Sequence, residues 1–229
     1  MTQKLTILFD LDGTLADTAP DLMMAHNHVM KKFGHNTKSI DEIKEYVGKG
    51  AAVMIGRSIW GEARKELSKI TDKKMKEEMV EEFLLFYKKN IVVKSKLING
   101  VYEFLKWAKS NNISMGVCTN KQEHLAVDLL KRIKIYDFFE YVAGRNTFEY
   151  CKPDPRHITS MIEIMNGDIK KSLMIGDSEN DSDAAKFAGI PMILLEDGYT
   201  DKNVNQINHN HLIKDFNGIE KIISLYLND

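Results

Sequence analysis

The sequence predicts an α/β fold: a doubly wound parallel sheet with an all-helical block inserted after its first strand. Three features point there. Leu5 to Phe9 is a short apolar run without proline, which suits a strand buried on both faces. From Ile98 onward, short apolar runs alternate with helical patterns, the texture of a parallel sheet joined by right-handed crossovers. Between these regions, residues 17 to 95 carry only helical periodicity. The expected division is therefore a core of residues 1–16 and 97–229 and a helical insertion of residues 17–96.

After the first strand, Asp10 and Asp12 flank Leu11, and Gly13 lets the chain turn. Asp17 and Thr18 are candidate caps for a helix whose first turn accommodates Pro20. Leu22, Val29, Met30 and Phe33 continue it until Gly34. Ser39 and Glu42 form a capping box for a second helix. A glycine turn, Gly48-Lys49-Gly50, leads into a third helix from Ala51 to Trp60. A long amphipathic helix is expected from Thr71 to Val93, its stripe marked by Met75, Met79, Phe83 and Tyr87. Strands follow at Ile113–Cys118, Phe139–Ala143, Leu173–Asp177, Pro191–Leu195 and His211–Ile213, with helices between them and a last helix from Gly218 to Leu227.

The bulk numbers exclude several classes. With 32 basic and 33 acidic residues the net charge is −1, so no global field favours nucleic acid or a membrane surface. The chain has no run long enough to span a bilayer and no signal-peptide pattern. Cys118 and Cys151 make no disulfide framework. A cytoplasmic protein, monomer or homodimer, is the expectation.

The chemistry sits at the strand ends. In a strand, side chains two apart share a face, so Asp10 and Asp12 would point together beyond the sheet edge, where a cation relieves their repulsion. Thr119 and Asp177 also close apolar runs, and parallel strands bring such endings to one edge. Lys152 lies in Cys151-Lys152-Pro153-Asp154-Pro155, a loop stiffened by two prolines.

Asp10-Leu11-Asp12-Gly13-Thr14, Thr119, Lys152 and Asp177 together resemble, in order, the four signatures of the haloacid dehalogenase superfamily, with the insertion where such families carry a cap. The resemblance implies a Rossmann-like core and a phosphatase. Asp10 would be the nucleophile, forming an aspartyl-phosphate, and Asp12 the general acid and base. Thr119 would bind a phosphoryl oxygen, and Lys152 would supply positive charge. Asp10, the carbonyl of Asp12 and Asp177 would hold Mg²⁺, whose preference is for oxygen ligands. Asp181 would support the metal's waters or Lys152 from behind. A calcium loop beginning at Asp177 fails, because its sixth position is Ser182 and its twelfth Ala188. His26 and His28 are two apart on a helix and cannot pair on a metal. Cys118 reads as a small apolar filler.

Within the superfamily, Asp17 to Leu22, Val47 to Ala51, Arg57 and Gly198-Tyr199 look like the phosphoglycolate phosphatase family. That likeness makes the substrate a small phosphorylated metabolite, 2-phosphoglycolate first, bound by Asn120, Gly48, Lys49 and Arg57, with Arg57 reading its carboxylate. Gly144-Arg145-Asn146 departs from the Gly-Gly-Asp usual in relatives. The alternatives are a mutase of the β-phosphoglucomutase type, against which Leu22 speaks, and a non-catalytic phosphate-binding module, against which Asp12 speaks.

Overall fold

A computed structural model describes residues 4–48, 50–60 and 70–227. The first strand, β1, runs Thr6–Phe9 and leads through a turn to a two-residue strand, β2, Ala16–Asp17. Helices α1 (Ala19–Lys32), α2 (Ile40–Tyr46), α3 (Ala51–Trp60) and α4 (Ile70–Lys89) follow, and β3 (Lys96–Leu97) returns the chain. Then come α5 (Val101–Ser110), β4 (Ser114–Cys118), α6 (Glu123–Arg132), β5 (Tyr141–Ala143) and α7 (Arg156–Ile164). The chain ends with β6 (Ser172–Gly176), α8 (Glu179–Ala188), β7 (Met192–Leu195), β8 (His211–Ile213) and α9 (Glu220–Leu227).

Six parallel strands form the sheet in the order β5-β4-β1-β6-β7-β8. The chain moves outward from β1 through β4 to β5, then crosses back to β6 and outward through β7. The order reverses at β1, and such a switch point opens a crevice at the carboxyl ends of the strands. β1, β4, β6 and β7 are buried throughout, as their apolar runs require.

Alternation divides the core between two faces. Ile7 and Phe9 belong to the larger cluster, in which the Phe9 ring meets Phe104, Phe139 and Phe216 at centroid separations of 6.1, 5.9 and 6.4 Å. Leu8 points the other way, to a cluster that includes Met161, Met174 and Leu194. The apolar interior of the helical segment, from Leu22 to Tyr87, is continuous with the Phe9 face.

Three local features depart from the sequence reading. The first is β2 paired antiparallel with β3, Ala16 opposite Leu97 and Asp17 opposite Lys96, a ribbon too short to show any period. The second is the end of α4 at Lys89 rather than Val93. There the buried Asp21 carboxylate accepts the amides of Val93, Lys94 and Ser95 and the Ser95 hydroxyl, and this competing acceptor holds the segment out of helix. The third is the start of α1. Thr18 is the N-cap residue but makes no side-chain cap. The Tyr199 hydroxyl instead accepts the amides of Thr18 and Ala19, at 2.8 and 2.9 Å, and donates to Asp17. Ser39 and Glu42 do form the expected capping box. No described helix is long and apolar enough to cross a membrane.

Candidate active site

Asp10 leaves the sheet directly after β1, its amide still donating to Ile175 on β6 at 2.9 Å. Its carboxylate is 6% exposed and faces the crevice. Lys152 Nζ lies 2.9 Å from Asp10 Oδ1 and donates to Asp181 Oδ1 at 2.6 Å. Burial would lower the lysine pKa, but the charges of Asp10 and Asp181 outweigh it and raise it. The lysine backbone is clamped on both sides: its amide donates to His157 Nδ1 at 3.2 Å, and its carbonyl accepts from Asn120 at 2.9 Å.

Asp12, two residues on, is held apart from that pair. Its carboxylate accepts both a bidentate contact from Lys121 Nζ, at 2.7 and 2.8 Å, and the Thr18 hydroxyl at 2.6 Å. Lys121, directly after Thr119-Asn120, was not singled out from the sequence. Here it is buried, and its ammonium lies 4.7 Å from the centroid of the Tyr87 ring. The available signal was spacing: Lys121 follows Thr119 by two at the end of a buried strand.

Thr119 is anchored by its amide to Ala143 at 2.9 Å. Its hydroxyl oxygen accepts the Lys121 amide at 3.2 Å, which leaves the hydroxyl proton free for a ligand. Asn120 spends its amide protons on the carbonyls of Gly48 and Lys152, both at 2.9 Å, and Asn180 also reaches the Gly48 carbonyl at 3.4 Å. The glycine turn of the helical segment is thus docked on the sheet edge. Lys49 lies outside the described residues.

Asp177, at the end of β6, accepts the Thr14 hydroxyl at 3.2 Å and the Tyr199 amide at 2.6 Å. Gly13 permits this approach: it sits at φ +82°, and a side chain there would collide with the Asp177 carboxylate. Asp181 caps α8, its Oδ2 accepting from the Ser178 amide and hydroxyl and from the Asp177 amide. With Oδ1 on Lys152, both its oxygens are engaged. Asp183 is half-buried on the same helix.

Oxygens of Asp10, Asp177 and Asp181 lie within 4.8 Å of one another. Burial pushes Asp10 up to about 6 despite the lowering charge of Lys152, with Asp181 and Asp12 adding to the rise. Burial, then the charges of Asp181 and Asp10, raises Asp177 well above the carboxylate range. Asp10 Oδ1, although ion-paired, accepts no well-aligned hydrogen bond. Crowded carboxylates with a spare oxygen and only hard donors fit a Mg²⁺ ion, which would relieve that repulsion.

A cavity of about 170 Å³ lies over these groups. Asp10, Asp12, Thr119, Asn120, Lys121 and Lys152 line its floor, and Gly48 and Gly50 its edge. The helical segment supplies an apolar roof that includes Leu22, Val53, Met54, Val80, Phe83 and Leu84. Arg57 is a correction. Its guanidinium donates to the Glu45 carbonyl at 3.1 Å and lies 3.6 Å from Asp201, turned away from the cavity. Its distance along α3 placed it near the glycine turn, but the face of the helix is set by packing. The arginine on the cavity wall is Arg145.

The remaining candidates are structural. His26 bonds Asn27 and Ser58, and His28 bonds Glu82 at 2.7 Å. Cys118 is buried, which pushes its thiol up to about 12.

Comparison with known proteins agrees with this geometry. The family model described as haloacid dehalogenase-like hydrolase matches residues 7–195, and the chain belongs to that family. Curated relatives include phosphoglycolate phosphatases from Mesorhizobium japonicum and Agrobacterium fabrum. The first is 36% identical over 93% of this chain and 92% of its own length. The second is 36% identical over 95% and 93%. A crystal structure described as that of a predicted phosphoglycolate phosphatase from Haemophilus somnus superposes with a TM-score of 0.88, at 30% identity over 97% of this chain and 99% of that one. Within the family, then, the chain is a phosphatase. A β-phosphoglucomutase from Clostridium difficile shares the fold, with a TM-score of 0.78 at 21% identity, covering 98% of this chain and 97% of that one.

Proposed function

We propose that the protein hydrolyses 2-phosphoglycolate with Mg²⁺ as cofactor, through an aspartyl-phosphate formed on Asp10. The observation that carries the chemistry is the placement of Asp10: an anion at the switch point of the sheet, 2.9 Å from Lys152 and facing the cavity. Phosphoryl transfer asks mainly for position and charge neutralisation. Asp10 attacks phosphorus, and Lys152 offsets the charge of both reacting groups. Thr119 donates its free hydroxyl proton to a phosphoryl oxygen.

Asp12 protonates the departing alkoxide, then takes a proton from the water that cleaves the intermediate. Lys121 and Thr18 fix its carboxylate for both steps. Mg²⁺, held by Asp10, Asp177 and the Asp12 carbonyl, would neutralise charge on the phosphoryl group. Asp181 orients Lys152. Residues 17–96 act as a cap, and Asn120 holds Gly48 of its glycine turn against the substrate's rim.

The substrate is supported by the names of the relatives at 36% identity. Leu22 in the cavity roof supports hydrolysis over the mutase alternative, since a carbon wall passes no proton. The test is phosphate release from 2-phosphoglycolate and a panel of other phosphomonoesters, with Mg²⁺ or with EDTA. Mg²⁺-dependent release led by phosphoglycolate, abolished in a folded Asp10→Asn protein, is expected. Undiminished turnover in Asp10→Asn or under verified chelation would overturn the mechanism, and a different leading ester would overturn the substrate.

A further inference from the structure

The cations of the site are unequally committed. Lys152 is engaged by Asp10 and Asp181, and Lys121 by both oxygens of Asp12. Arg57 faces Glu45 and Asp201. Arg145 is different. It stands just beyond β5, at the same sheet edge as Asp10, and among the described residues its guanidinium has no carboxylate partner.

Its base is nevertheless fixed. The Arg145 amide donates to the Lys121 carbonyl at 2.8 Å. Gly144 before it packs so tightly on Lys121 and Glu123 that no side chain fits there. The Gly144 amide is held by the Thr147 hydroxyl at 2.8 Å, and Thr147 in turn donates to Glu123 at 2.5 Å. From this base the side chain crosses to the helical segment and ends beside Gly50: a Cβ built on Gly50 would lie 3.7 Å from Arg145 Nη1. The guanidinium therefore sits on the seam between sheet edge and roof, lining the cavity from the side.

We propose that Arg145 determines specificity by reading a carboxylate on the alcohol part of the substrate. The inference rests on the phosphatase reading of the same cavity, with phosphoglycolate as the carboxylate-bearing ester. The phosphoryl end is served by Lys152 and Thr119 on the floor, and the described roof is largely apolar. A second anionic group on the substrate then meets Arg145 as its counter-charge among the described residues. A guanidinium offers a carboxylate two parallel hydrogen bonds, a directional match that a lysine lacks. Gly50 sits at φ +88°, where a side chain is strained, and a Cβ there would come into contact with the Arg145 side chain at 3.7 Å.

The test compares two esters of similar size, 2-phosphoglycolate and 2-hydroxyethyl phosphate, which carries an uncharged hydroxymethyl group in place of the carboxylate. The readout is the ratio of their kcat/KM values in wild type, Arg145→Ala and Arg145→Lys, with folding checked by thermal unfolding. Loss of a charge-assisted bidentate contact predicts a ratio lowered by roughly ten- to a hundredfold in Arg145→Ala. The change should fall mainly on KM for phosphoglycolate, since the carboxylate is remote from the bond that breaks. Arg145→Lys should lie between, keeping the charge without the fork. A ratio unchanged in Arg145→Ala overturns the inference while leaving phosphoglycolate as substrate. A wild type with no preference for phosphoglycolate overturns the substrate reading itself and the inference with it, and that outcome is visible before any variant is made.

Discussion

Removing one oxygen atom tests how the helical segment is anchored. In Tyr199→Phe the ring, 4% exposed, keeps its packing while the hydroxyl is lost. That hydroxyl accepts the Thr18 and Ala19 amides at 2.8 and 2.9 Å and donates to Asp17. The change therefore orphans two backbone donors at the start of α1 and strips a carboxylate of its donor. Each buried donor left unsatisfied costs about 1–3 kcal/mol. Two of them in one place predict a loss of about 2–6 kcal/mol, a large share of the usual margin of about 5–15 kcal/mol. For a chain of this length that lowers the unfolding midpoint by roughly 4–24 °C. Differential scanning calorimetry, with urea unfolding at 25 °C beside it, measures the effect. A midpoint within about 1 °C of wild type would refute the claim that this hydroxyl caps the helix.

Two further expectations concern the lysines of the site. Lys121→Met breaks a buried pair and should destabilise the fold by about 3–5 kcal/mol, whereas adding Asp12→Asn should recover much of that loss; a fully additive double variant in urea unfolding would deny the coupling. His157, which receives the Lys152 amide, is pushed down to about 3 by burial and then by the Lys152 charge. The unfolded chain binds a proton there near pH 6.5 and the folded chain does not. Its stabilisation is therefore complete above about pH 6.5 and is lost progressively as pH falls toward 3. His157→Gln should flatten the acid limb of the midpoint-against-pH curve between pH 6.5 and 4.5, and an unchanged limb would assign it to other groups.

Much of the site could be read before any coordinates. Asp10, Thr119 and Asp177 each end an apolar run, and parallel strands must gather such ends at one edge. Lys152 was legible only through the family likeness, its loop stiffened by two prolines. What escaped depends on partners distant in the chain. Tyr199 drew notice only as part of a family likeness, because its hydroxyl acts on amides some 180 positions earlier. Lys121 escaped notice, since nothing local says that its ammonium turns back toward Asp12. Arg57 was misplaced because spacing along α3 fixes a residue's height on the helix but not the face that packing turns inward. Arg145 stood out only as a departure from the Gly-Gly-Asp of relatives; the cavity gave it a direction.

The β2–β3 ribbon has a consequence for how such a molecule can be rebuilt. The inserted chain leaves and re-enters the sheet through two neighbouring strands, Asp17 beside Lys96, with Ile98 bonded back to Leu15 at 3.1 Å. To the sheet the insertion is a loop already closed at its neck. Closure entropy rises only by about 0.6 kcal/mol for each doubling of loop length, so the sheet is nearly indifferent to what hangs from that neck. The ribbon is a socket. The groups proposed for chemistry, Asp10, Asp12, Thr119, Lys152 and Asp177, all lie on the sheet's side of it, and so does Arg145. The apolar roof, from Leu22 to Leu84, lies on the other side. A different helical module plugged into the same two strands would reshape the space above the phosphoryl group while the charges that act on it stayed in place.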